Sequence, residues 1–505
     1  MNAKMTFGEW LPDLPATDVG ANLTIATDVY PVSGGYRPFR QMADVLGAGS
    51  LDATCCGAAS GRRRSDGTPY TAAASASKLY VTTSAGVLSD HTPGTWSLSS
   101  TSTCRFAQYG DRLFASVPEY GIQVHLLSGT SAFATLSADC PSARYLAVIG
   151  EHLVAGSIVG RGVNAGAIGT ARDAVQWCFF RNPTLWPAVG TDAAKAGLSD
   201  YRVLPGFGGE VTGLVGGREY GIVFQQRQVS LAVLDPGGAY FRFTPIDDKN
   251  GVYIPGSLVS SGSTHVYYSE SGWMRMDGPN APQPIGFGRL DEWFRADMQW
   301  SYVHRVSACA HPSLPLVAIS YPGVGSPSGI ANRILIYNTT LNRWSVVKGI
   351  TLEWLVDATI VGSNVDTPIS SDIDGSPFDV DAAGGTGFPQ LAGFASPTHT
   401  LQAFTGSDLL GNLMTGDIEI EPGKTAYVRA VRPVYTGGGS ILVRIFGRST
   451  PRDTATMRAQ ALPSAVDGRA GVRSRARYHR LEIYTLSNAG IVSGFDVEFE
   501  RAGAR

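Results

Sequence analysis

The sequence predicts an all-β protein, an irregular β-propeller joined to a β-sandwich-like domain, on three observations. Sixty-one glycines and 29 prolines among 505 residues are many for a helical protein, and no sustained 3.6-residue periodicity accompanies them. Paired strand patterns recur along the chain, as in RILIYNTTLNRWSVV at residues 333–347. Finally, an apolar content of 43% in a chain of this length supports a large buried core.

The amino terminus, MNAKMTFGEWLPDLP, lacks a basic stretch followed by a continuous apolar segment, so it is not expected to act as a secretory signal. Residues 1–50 are read as an N-terminal extension and assembly segment. No uninterrupted apolar span suits a bilayer, and no membrane-spanning segment is expected. Six cysteines, Cys55, Cys56, Cys104, Cys140, Cys178 and Cys309, form no CxxC pair. They are expected to be reduced core thiols of a protein made in cytoplasm.

Residues 51–384 are assigned to the propeller. RFAQYGDRLFASV, RYLAVIGEHLVAG, VTGLVGGREYGIVFQ and GSLVSSGSTHVYYSESGWMRM each read as strand, break, strand. Their turn glycines, Gly110, Gly150, Gly217 and Gly262, lie 40, 67 and 45 residues apart. The shorter spacings fit four-stranded blades, and the longer one accommodates an insertion around VQWCFFRNPTLWP. RVSACAHPSLPLVAISYP and ANRILIYNTTLNRWSVV continue the series. Trp273, Trp293 and Trp344, set among apolar segments, are expected to be core anchors.

The aspartate-rich SDIDGSPFDVD resembles a calcium loop only superficially. With Asp372 at the first position, Pro377 stands where the turn glycine belongs and Ala383 where the bidentate glutamate belongs. A solvated connector is the better reading. After the glycine-rich DAAGGTGF, residues 385–505 alternate like a separate β domain.

Catalytic signatures are missing: there is no HExxH, no GxSxG and no GxxxxGK, and no cofactor or metal is expected. GRRRSDG at 61–67 reads as a basic turn. Asp291, Glu292 and Asp297 are the weak candidates for a paired-carboxylate glycoside hydrolase, but DEWFRAD reads more readily as a polar turn around buried Trp293 and Phe294.

Charge is distributed unevenly. Residues 421–505 carry 14 Lys or Arg against 7 Asp or Glu, a net +7, and the preceding residues carry 26 against 35, a net −9. Within GRAGVRSRARYHRLEIY, alternation on a strand would put Arg473, Arg475 and Arg477 on one face and Arg480 on the other. Such a face suits phosphates without reading bases, or an acidic subunit surface.

The segments FGEWLPDLP, LTIATDVYPVSGGYRPF, VTGLVGGREYGIVFQQR, GSLVSSGSTHVYYSESGWMRMDG, PIGFGRLDEWF, NRILIYNTTLNRW and YVRAVRPVY, in that order over most of the chain, resemble the tail nozzle, or tubular protein B, family of short-tailed bacteriophages, within the wider group of phage DNA-stabilisation proteins. The resemblance implies a non-enzymatic virion tail subunit, commonly hexameric, made in the host cytoplasm. It would line the distal DNA conduit, retain packaged DNA through nonspecific contact and serve DNA ejection. Its protein partners would be a portal-proximal adaptor and tail fibres or spikes. The alternatives are a tail-spike glycan hydrolase and a non-enzymatic propeller scaffold.

Overall fold

A computed structural model describes residues 1–501 except 46–47, 84–85, 95, 205, 236–239 and 360–388. Five separate four-stranded antiparallel sheets follow one another along the chain. They run from Cys55–Arg62 to Leu88–Asp90, Arg105–Tyr109 to Ala134–Thr135, Ser142–Ile149 to Tyr201–Val203, Val211–Val215 to Tyr240–Asp247, and Val259–Ser261 to Gln283–Pro284. These are blades one to five. Blade six comprises Ser307–Ala310, Leu316–Tyr321, Ala331–Asn338 and the first half of the 17-residue strand Arg343–Thr359.

The second half of that strand begins a seventh blade. Residues 352–359 pair with Pro389–Ala395, which pairs with Leu401–Ala403. The outermost strand is Ala43–Asp44, placed by Ala403↔Ala43 and Gln402↔Asp44. The inner strands of blades seven and one pack together and close the ring.

Strand alternation explains why seven blades cohere. Successive side chains point to opposite faces, and in a propeller both faces meet a neighbouring blade. Leu113 and Ala115 pack toward blade one, whereas Phe114 packs with Leu146 and Leu153 of blade three. Val223 meets Trp177 of blade three, while Phe224 meets Tyr267 of blade five. Tyr268 and Trp273 meet Tyr337 and Trp344 of blade six. Leu355 packs with blade six, and Trp354 and Val356 pack with blade one. These strands are therefore buried on both faces, whereas outer strands such as Tyr240–Asp247 and Gln283–Pro284 are more exposed.

The sequence hairpins occupy the positions expected of them. The Gly110, Gly150 and Gly262 turns have φ of 62°, 53° and 61°, a region in which a side chain is strained. The wide interval before Gly217 belongs to blade three, whose outer connections contain the helices Ala165–Ile168 and Asp192–Ala196. All six cysteines are buried and free. Burial pushes the Cys56 and Cys178 thiols up to about 12, so neither is a ready thiolate.

The second body is a sandwich. One sheet contains Val29–Val32, Gly35–Pro38, Val492–Arg501, Ala426–Tyr435 and Ser474–Ala476, with Asn2–Thr6 also paired to Val492–Arg501. The other contains Leu23–Thr27, Asn412–Thr415, Tyr478–Thr485, Ile441–Arg448 and Thr456–Ala461. Val428, Val431 and Val497 meet Val443, Ile445 and Ile483 in its core. A parallel bridge between Thr27 and Val346 joins this sheet to blade six.

The observed division differs from the sequence division at both ends. Residues 1–50 are distributed between the two bodies, supplying sandwich strands and the outer strand of blade seven, rather than standing apart as an extension. Pro389–Ala395 and Leu401–Ala403 belong to blade seven, although the expected boundary puts them in the C-terminal domain. A glycine-rich, weakly apolar stretch has the same composition whether it separates domains or connects strands of one blade. The boundary at 385 and the calcium-loop positions Asp372, Pro377 and Ala383 lie outside the described residues. Among the described residues, no helix is long and apolar enough to cross a membrane.

DEWFRAD forms a helix, Asp291–Asp297, instead of a turn. Asp13 accepts hydrogen bonds from the Glu292 and Trp293 N–H groups at 3.0 and 2.8 Å, satisfying free donors of the first turn. Phe294 enters the blade five–six junction, with its ring centroid within 5.1 Å of those of Tyr268, Trp273 and Tyr321. Trp293 is half-buried against the edge of Trp10.

Trp273 and Trp344 are fully buried, their rings 5.4 Å apart, and Trp344 also lies 4.5 Å from Tyr337. Replacing Trp344 with alanine should cost about 3–5 kcal/mol through lost transfer energy and a cavity. Equilibrium denaturant unfolding checks this. A loss below about 1 kcal/mol, the ordinary effect of a surface change, would remove Trp344 from the group of core anchors.

Candidate functional site

The arginine-rich segment lies at an edge of the sandwich. Val472, Ser474 and Ala476 are buried and alternate with exposed Arg473 and Arg475 and half-buried Arg477. Ser474–Ala476 pairs with Ala426–Val428 at the end of its sheet. Arg473 and Arg475 make no ion pair among the described residues.

The neighbouring arginines have structural partners. Arg477 Nε donates to Glu419 Oε1 at 2.9 Å, and its guanidinium lies 5.3 Å from the Tyr478 ring. The Gly423 N–H above all, aided by Arg477, holds the Glu419 carboxyl below its ordinary range. Arg480 Nε donates to buried Asp417 at 2.7 Å, and Arg448 donates to the other Asp417 oxygen. Removing one member of such a triad would leave buried charge uncompensated.

The strand Thr456–Ala461 ends the second sheet. Met457, Leu462 and Val466 on and beyond it are 53%, 58% and 96% exposed. A Cβ on Gly447 would meet Ala476 Cβ at 2.9 Å and Arg458 Cγ at 3.4 Å, so the two edge strands approach one another there. Exposed cations thus stand on the end strand of one sheet, and exposed apolar side chains on or beyond the end strand of the other.

The three candidate carboxylates do not form a facing pair in a cleft. Asp291 is buried, and its Oδ1 accepts from the Trp273 N–H at 3.1 Å. Its carboxylate fits against two glycines, since a Cβ would lie 2.1 Å from it at Gly272 and 2.0 Å at Gly286. Burial raises Asp291 to about 6. Asp297 pairs with Arg333 at 3.3 Å and accepts from the Tyr321 hydroxyl at 2.9 Å, while Glu292 is exposed. None of the three lines either of two large cavities formed among the described residues.

One of those cavities, about 560 Å³, opens where the inner strands of blades two to six begin. Arg105 and Arg144 lie on its wall at the starts of the inner strands of blades two and three. Arg105 lies 5.5 Å from the Trp354 ring, and burial lowers its pKa from the ordinary value. Glu210 is shared by Arg144 at 3.7 Å and Arg172 at 3.6 Å. Burial raises the Tyr145 hydroxyl, keeping it a neutral donor. The sequence reading missed this site. Its available signal was the arginine that opens both RFAQYG and RYLAVIG, which reads simply as strand until the inner ends converge.

No family model and no curated protein matches this chain. Solved structures similar to parts of it include the computationally designed Ika8 protein, with a TM-score of 0.36 and 11% identity over 71% of this chain and 98% of that one. A chain of the mitotic checkpoint complex has a TM-score of 0.36 and 12% identity over 65% of this chain and 88% of its own.

The raised Asp291 carboxyl has a measurable consequence. The folded state retains its proton to about pH 6, whereas an unfolded aspartate releases it near pH 4. Folding therefore binds a proton between these values, and this group's contribution to stability falls as pH rises across the window. Asp28, also raised to about 6 by burial, adds to the same slope. Asp291→Asn should decline less steeply than the parent in urea midpoints measured from pH 4 to 7. Identical slopes would show that Asp291 does not titrate in this way.

Proposed function

We propose that the chain is a non-enzymatic ring subunit of a short-tailed phage nozzle. Repeated copies, six by the family resemblance, would surround the distal DNA conduit, retain packaged DNA and meet an adaptor and fibres or spikes. The observation that carries this reading is that the end strands of the two sandwich sheets carry unpaired, exposed Arg473 and Arg475 on one and exposed Met457, Leu462 and Val466 on or beyond the other.

An isolated monomer gains little from such a surface. An unpaired sheet edge can accept another chain, and exposed apolar area is most useful when association covers it. A single arginine binds a phosphate weakly, but a ring repeats the contact. Binding would then be nonspecific and salt-sensitive, through release of phosphate counterions. The order of family-like segments supports the phage assignment, and the closed propeller supplies a rigid body from which the sandwich can project.

The triple variant Arg473→Ala, Arg475→Ala, Arg477→Ala should retain the circular dichroism and melting profile of the parent, since only Arg477 has an ion-pair partner and that pair is partly solvated. Ring formation measured by light scattering, or DNA retention in assembled tails, should fall. Raising salt should weaken parental DNA binding more steeply than the variant's. Unchanged assembly and DNA retention, with all three side chains on the outside of an intact tail, would overturn the assignment.

A further inference from the structure

The cavity at the inner-strand ends contains a cation without a counterion. Arg105 makes no ion pair among the described residues, and its buried Nε has no hydrogen-bond partner. The Trp354 face offers partial compensation. A guanidinium cannot become neutral near physiological pH, so its remaining donors require water or an anion.

The other wall groups narrow the anion. Glu119 and Glu210 would repel a dianion, but both can accept hydrogen bonds from hydroxyl groups. Glu119 already accepts from the Ser102 hydroxyl, and Glu210 Oε2 is buried without a hydrogen-bond donor. Glu210 lies 3.7 Å from Arg144, beyond good hydrogen-bond distance. Thr101, Thr103 and Thr212 add neutral hydroxyls to the wall. Burial above all, together with nearby Arg305, lowers His304, which therefore adds no positive charge at neutral pH.

We infer that this cavity binds a polyhydroxylated monocarboxylate, a sugar acid, with its carboxylate on Arg105 and its hydroxyls directed to Glu119, Glu210 and the threonines. One unpaired guanidinium matches one carboxylate, and a planar fork can hold it through two parallel hydrogen bonds. A neutral sugar would leave Arg105 uncompensated, whereas phosphate would meet the two glutamates. The volume of about 560 Å³ lies within the usual range for a small-molecule site. This binding role is independent of the sandwich edge and of the nozzle reading.

Isothermal titration with glucuronate, glucose and inorganic phosphate at constant ionic strength tests the inference on the full chain. Glucuronate should bind saturably, and glucose and phosphate should bind at least about tenfold more weakly, a difference titration resolves readily. Arg105→Gln should abolish glucuronate binding. Arg105→Lys, which keeps the charge but not the planar fork, should weaken it and provides the second test if the first variant fails to fold. Circular dichroism establishes the fold of each. Absence of saturable glucuronate binding would mean that water alone satisfies Arg105. Equal binding of glucose, or unchanged binding in both variants, would overturn the assigned carboxylate contact.

Discussion

The last blade of the ring is completed by a two-residue strand from the beginning of the chain. Ala43–Asp44 supplies the outer edge of blade seven, whose other strands come from residues 352–403. A propeller blade is covered by its neighbours, so an open ring would expose two blade faces and their apolar side chains together. The short strand is reinforced from nearby. Leu51 N–H donates to His399 O at 3.0 Å, and Cys55 N–H donates to buried Glu353 at 2.9 Å. His399 also meets Glu353 at 2.6 Å.

The residues preceding that strand connect the other parts. Asn2–Thr6 and Leu23–Thr27 belong to opposite sandwich sheets, while Asp13 caps the helix at the blade five–six junction. Asp28 has φ of 60°, its N–H donates to Val346 O at 2.8 Å, and its side chain accepts from Lys348 N–H at 2.7 Å. The amino-terminal chain thus joins the sandwich to blade six before closing blade seven. Loss of its strand pairing would affect both bodies, even though most of each core is made elsewhere.

Local pairing was legible in the sequence because the physical signal is local. The extended runs around Gly110, Gly150 and Gly262 become hairpins, and Trp273 and Trp344 become buried anchors. The seventh blade was obscure because its strands come from widely separated segments and its outer member has only two residues. The helix Asp291–Asp297 was similarly hidden. Its seven residues are too few for a periodic pattern, and its cap comes from Asp13, distant in sequence. The alternation of Arg473, Arg475 and Arg477 was visible, but Arg105 gained significance only when separate blades brought its unpaired guanidinium to a shared cavity.

That arginine segment also shows how periodicity divides structural from available charge. The buried Val472, Ser474 and Ala476 fix one strand face, leaving Arg473 and Arg475 exposed between them. Farther along, Arg477 engages Glu419, and Arg480 joins Arg448 on buried Asp417. These pairs restrain the chain just beyond the exposed positions. Arg475 is consequently presented from a packed strand and Arg473 from the residue just before it, which lowers the ordering cost of contacting another surface. Strand alternation sets their direction, while the neighbouring ion pairs help set their position. A basic sequence run becomes a defined surface because most of its residues are occupied in holding the fold.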